Sequence, residues 1–130
     1  MTQEEKELLL KDLCARLPYV VFMTNKKLQE TYYPLSCDDL RDAMFDVEWD
    51  DVPYLRPMSS MTEGEKEEIA ATIRVSGKAN IVGDIMLDYK RDYIKISETT
   101  RLSDWLNAHH FDYRGLIEKG LSLEAPEGMY

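Results

Sequence analysis

The chain has 130 residues, 44% apolar and 32% charged, enough burying side chains for one folded domain without metals or disulfides and too many for a disordered or low-complexity chain. Sixteen basic against 25 acidic residues give a net charge of -9, which repels phosphate backbones and anionic bilayers, so no direct nucleic-acid binding is expected. No apolar run approaches the roughly 18 residues of a membrane span, and the acidic start Thr2-Gln3-Glu4-Glu5-Lys6-Glu7 is unlike a signal peptide, so the expectation is a cytoplasmic protein without membrane contact.

Thr2 and Glu5 form a capping-box pattern, and Leu10, Leu13, Cys14 and Leu17 recur at helical spacing until Pro18, which predicts a helix over about 3–17. The run Tyr19-Val20-Val21-Phe22-Met23, the turn chemistry of Asn25-Lys26-Lys27 and the segment Leu28 to Tyr33, with Leu28, Glu30 and Tyr32 on one face, predict a β-hairpin. Ser36 can cap a short acidic turn through Leu40 and Met44. Val47 and Trp49 then alternate with Asp46, Glu48 and Asp50 in the manner of an edge strand with one wet face. Pro53 and Pro57 bracket Tyr54-Leu55-Arg56, which reads as an ordered loop because proline fits neither a helix interior nor a central strand.

Thr62 and Glu65 make a second capping box ahead of Ile69, Ala70 and Ile73, predicting a helix over 63–75 that ends near Gly77. Asn80 to Tyr89 and Tyr93 to Ser97 read as a second pair of strands around Lys90-Arg91-Asp92. Leu102, Trp105, Leu106 and His109 define a third helix with His109 beside Trp105, which leaves His110 off that face and at the surface. Helices and hairpins alternate irregularly, so the expected class is α+β: one small antiparallel sheet built from hairpins with about three helices packed on it.

His109 and His110 are the only histidines, so imidazole chemistry must occur beside them, with Asp112 as the nearest carboxylate. Adjacent helical residues diverge by about 100° and do not chelate one ion well, and no cysteine or third histidine lies nearby, so no metal is expected. Asp46-x-Glu48-x-Asp50 begins like a calcium loop, but Asp51 stands where the loop needs glycine and Pro57 where it needs glutamate. The glycines make no phosphate-cradling loop, no G-x-S-x-G turn is present, and no cofactor is expected. Cys14 and Cys37, without a C-x-x-C, read as reduced thiols.

Charge is uneven. Asp38, Asp39, Asp42, Asp46, Glu48, Asp50 and Asp51 crowd one stretch opposed only by Arg41, while Lys90, Arg91, Lys95 and Arg101 form the one basic run. Asp112 can cap a short helix ending at Gly120, with Arg114 placed to pair with a carboxylate, and Leu116, Ile117 and Leu121 then close the core as a clasp against the Trp105 helix. Tyr113 and Arg114 are also residue types favoured at interface hot spots.

The blocks Leu8-Leu9-Leu10-Lys11-Asp12-Leu13-Cys14-Ala15-Arg16-Leu17-Pro18-Tyr19, Pro53-Tyr54-Leu55-Arg56-Pro57-Met58-Ser59-Ser60-Met61 and His110-Phe111-Asp112-Tyr113-Arg114-Gly115-Leu116-Ile117-Glu118-Lys119-Gly120-Leu121 resemble a family of small uncharacterised proteins from gut anaerobic bacteria and their prophage-like elements. The resemblance implies no activity and no catalytic residue. The functional expectation is therefore contact with an unidentified protein partner, as an accessory factor of a mobile element, through Tyr113 and Arg114 or through Asp46, Glu48, Trp49 and Asp50. The rivals are a small hydrolase with His109 or His110 as base and Asp112 as its orienter, and an acidic decoy that mimics nucleic acid.

Overall fold

The computed structural model describes residues 1–29, 31–73 and 96–130. Four helices are described: α1 (Gln3–Arg16), α2 (Cys37–Phe45), α3 (Glu63–Ile73) and α4 (Ile96–Ala108). Five strands accompany them: β1 (Phe22–Asn25), β2 (Tyr33–Pro34), β3 (Asp51–Pro57), β4 (Phe111–Asp112) and β5 (Leu123–Glu124). The α+β class is as expected, with one more helix than the sequence pattern gives and a sheet that is mixed. β1 pairs antiparallel with β2 and with β3, whereas β4 and β5 both run parallel to β3. The parallel partners return to β3 after the long connection through α3 and α4, and a hairpin cannot supply such a strand. Of the second strand pair expected over 80–97, residues 80–95 lie outside the described residues, and Ile96 and Ser97 begin α4.

The capping signals hold. In α1 the Thr2 hydroxyl accepts the Glu5 amide and the Glu5 carboxylate accepts the Thr2 amide; Ser36 with Asp39, and Thr62 with Glu65, repeat the device at α2 and α3. The phase of α1 differs from the expected stripe. Leu9, Asp12, Leu13 and Arg16 face inward, while Cys14 is exposed. Three successive leucines at 8–10 permit more than one apolar phase, and burial of an acid and a base selects this one.

β3 overturns two expectations. The segment 53–57 belongs to a central strand, and Val47 with Glu48 lies in a turn ahead of it. Pro53, lacking an N–H, sits opposite Met23, and its carbonyl accepts the Ser122 hydroxyl at 2.8 Å; Pro57 closes the strand and leads into a 3-10 turn at Met58–Ser60. Residues 52 to 55 are all buried, as in a strand covered on both faces. Leu55 joins Leu9, Leu13, Val21, Met23 and Leu116 in one apolar cluster. Met58 and Met61 join Ile69, Trp105 and Leu106 in the other.

In the hairpin, β2 is shorter than expected: Leu28 lies in the turn, Gln29 takes φ +44, and only Met23–Tyr33 and Phe22–Pro34 pair. Beyond Met23 and Pro53, where β1 and β3 part, the Tyr130 hydroxyl bridges them by accepting the Phe22 amide (2.9 Å) and donating to the Tyr54 carbonyl (2.7 Å).

Candidate functional site

The C-terminal clasp is built around a buried ionic network. Asp12 and Arg16, one turn apart on α1 and both fully buried, meet in a two-point contact at 2.7 and 3.1 Å, and Arg16 also donates to the Phe111 carbonyl at 2.7 Å. Arg114 donates to the same Asp12 carboxylate at 3.1 Å, and to the Tyr113 hydroxyl, which in turn donates to Asn107. Both guanidinium groups lie over the Tyr113 ring. Tyr113, 3% exposed, is thus an interior strut, and Arg114 beside it is part-buried with its side chain 21% exposed.

The expected carboxylate partner of Arg114 is Asp12. The clasp leucines Leu116 and Leu121 pack on Leu9 and Leu13 of α1, where the sequence pattern had put them against Trp105. Asp112 accepts the amides of Leu116 and Ile117 at 2.8 and 2.9 Å, and the turn closes at Gly120, whose φ of +73 favours glycine.

The histidines are held apart in role. His109 Nδ1 lies 2.8 Å from the Trp105 carbonyl, and its ring stacks on the indole at 4.0 Å. His110 adopts φ +64 and lies half-buried under Tyr130, whose ring stacks on it at 3.7 Å; it is not the surface residue expected. Burial, with the Arg16 and Arg56 guanidiniums and His109 close by, pushes its imidazole down to about 4, so it is neutral at pH 7. Asp112 places its two oxygens on the Leu116 and Ile117 backbone amides. Arg56, at the end of β3, lies 4.1 Å over the Phe111 ring and grips Glu65 of α3 at 2.7 and 2.8 Å. That grip, outweighing burial, holds the Glu65 carboxyl at about 2.

The second place is an open groove of about 600 Å³ between α2 and the start of β3, lined by Tyr33, Phe45 and Trp49 and by Asp39, Asp42, Asp46 and Asp51. Trp49 is fixed by packing against the leucine-rich cluster. The Tyr33 hydroxyl donates to Asp51, and burial together with that bond and the Asp51 and Asp39 charges raises its pKa, keeping it neutral. Five of the seven acids between 38 and 51 have local work. Asp39 caps α2, Asp46 accepts the Glu48 amide, Asp50 and Asp51 accept the Asn25 side chain, and Asp38 pairs with Arg41 at 3.4 Å. Among the described residues the carboxylates of Asp42 and Glu48 are uncommitted. Met44, Phe45 and Val47 stand 61, 79 and 92% exposed.

Of the residues expected to bind, Asp46 and Trp49 line this groove, Glu48 and Asp50 lie next to it, and Tyr113 and Arg114 are elsewhere. Tyr33, Phe45 and the Asp12–Arg16 pair are absent from the sequence-derived set. The signals that carry them are the i, i+4 acid–base pair in phase with Leu9 and Leu13, and the apolar Met44-Phe45 closing an otherwise acidic helix. Among the described residues no three His, Cys, Asp or Glu side chains converge as a metal-binding set, and no helix is long and apolar enough to cross a membrane. No protein-family model, no curated protein and no solved structure matches the chain.

Proposed function

We propose that the protein acts by binding another protein through the end of α2 and the turn into β3. The observation that carries this reading is the exposed apolar group Met44, Phe45 and Val47, of which Phe45 lines an acid-rimmed groove. Exposed apolar side chains grouped within a polar rim are the ordinary mark of a contact surface, because their burial on association releases water at about 25 cal/mol per Å². Scattered exposed apolar residues need no such explanation, but these three fall within four consecutive positions.

The acids favour a protein partner over a role as a nucleic-acid mimic, since five of the seven are engaged in the α2 cap, the Glu48 turn, the Asn25 contacts and the pair with Arg41. A photo-crosslinking residue placed at Val47 tests the reading directly. A discrete adduct in the source cells is expected from position 47 and not from Glu127, and its loss when Phe45 is also changed to Ser. Equal adducts from 47 and 127, or none from 47, would overturn it.

A further inference from the structure

We propose that the groove between α2 and β3 receives an arginine side chain from an extended basic segment of that partner, an assignment resting on the reading of this face as the interface. The lining carries four carboxylates and no cation. Of the described bases, Lys6 spends its ammonium on the backbone carbonyl of the lining residue Asp46 at 2.7 Å, Lys27 lies 3.9 Å from Asp50, and Arg41 reaches Asp38. A positive group entering here meets four carboxylates against the single ammonium at the Asp46 carbonyl, with the Asp42 carboxylate uncommitted among the described residues.

The aromatic rings choose between cations. A guanidinium is planar, weakly hydrated, stacks on ring faces and forks onto carboxylates, whereas an ammonium is a compact and strongly hydrated point charge. Trp49 and Tyr33 are fixed in place by core packing and by the bond to Asp51, and Phe45 is free to close over an entering side chain. The molecule already shows this arrangement internally: Arg56 lies over the Phe111 ring while Glu65 holds its fork. At about 600 Å³ the groove is far larger than one guanidinium, so flanking residues of the segment enter with it and meet the exposed apolar group that includes Val47.

The test uses a capped nine-residue peptide of alternating arginine and leucine, followed by amide chemical shifts of the whole protein. Saturable shifts confined to residues around 33 and 39–51 are expected. Replacing arginine by its neutral isostere citrulline should weaken binding by about tenfold or more, and replacing it by lysine by about threefold. Asp42→Asn with Asp46→Asn should match the citrulline loss, while Glu124→Gln with Glu127→Gln, the same charge change at a remote site, should cost less than about twofold.

Equal binding of the citrulline or lysine peptide would overturn the assignment. So would equal loss in the two acid-substituted pairs, which would mean bulk charge attraction, or an absence of saturable shifts. An adduct at Val47 alongside any of these results would leave the interface standing and remove only its arginine.

Discussion

Asp12→Ala tests whether the buried ionic network is the keystone of the clasp. The carboxylate is fully buried and accepts three bonds, from Arg16 Nε at 2.7 Å, Arg16 Nη2 at 3.1 Å and Arg114 Nε at 3.1 Å. Its removal strands the Arg16 guanidinium, also fully buried, with the Phe111 carbonyl as its one remaining described acceptor. Breaking a buried pair from one side costs about 3 to 5 kcal/mol, against a total stability of roughly 5 to 15 kcal/mol for a domain.

The paired replacement Asp12→Leu with Arg16→Met separates charge stranding from loss of packing. Exchanging a buried pair for apolar residues of similar volume is neutral or stabilising by about 1 to 4 kcal/mol. The Phe111 carbonyl then loses its donor, at about 1 to 3 kcal/mol, so the double variant should fall within about 2 kcal/mol of the parent. Urea unfolding followed by far-ultraviolet circular dichroism gives both numbers. A single variant within about 1 kcal/mol of the parent, or a double variant less stable than the single, would refute the network's role.

His110 is held neutral with a pKa near 4, below the 6.5 of a free imidazole, so the unfolded chain takes up its proton first. Its contribution is complete above pH 6.5 and is lost as pH falls toward 4, by about 1 to 2 kcal/mol for a half-buried ring. His110→Asn keeps a residue type that tolerates positive φ and should flatten stability across that window; an NMR midpoint for His110 near 6 would contradict the placement. Glu65, held at about 2 against 4.5 for a free glutamate, adds stability that is complete above pH 4.5 and is lost on acidification toward pH 2. With partial exposure this amounts to about 1 to 2 kcal/mol, and Glu65→Gln should remove the acid-dependent loss; identical acid titrations of variant and parent would argue against the Arg56 grip. Tyr130→Phe deletes the bridge between Phe22 and Tyr54 and should lower stability by about 1 to 2 kcal/mol, read as a fall in Tm. An unchanged Tm would show that the hydroxyl is dispensable.

Local signals were legible where a side chain answers its own backbone. The capping residues Thr2, Ser36 and Thr62 announce α1, α2 and α3, and the spacing of Trp105 and His109 gives their stacking. What failed depends on partners far along the chain. Pro53 looks incompatible with a central strand until Ser122 arrives to use its carbonyl, and the register of β3 against β4 and β5 has no local marker. Asp12 and Arg16 fall outside the expected stripe of Leu10, Leu13, Cys14 and Leu17, because the partners that complete their network, Phe111 and Arg114, lie about a hundred residues away. The groove was half legible: its acids and Trp49 stand out by composition, whereas Tyr33 and Phe45 join them only through the folded arrangement of β2 and α2.

The distance in sequence between partners has a kinetic consequence. The bond from Arg16 to Phe111 closes 95 residues of chain, that from Arg114 to Asp12 closes 102, and that from Phe22 to Tyr130 closes 108. Closing such loops forfeits chain entropy before the contacts return anything, and folds dominated by distant pairings form in milliseconds to seconds where locally wired ones take microseconds. Until residues 111 to 124 dock, α1 carries a charged pair on its buried side, and β3, paired with β1 along 51–53, has no strand partner along 54–57. A chain cut short before those residues would hold the Asp12–Arg16 pair without Phe111 and Arg114, and residues 54–57 of β3 without a neighbouring strand.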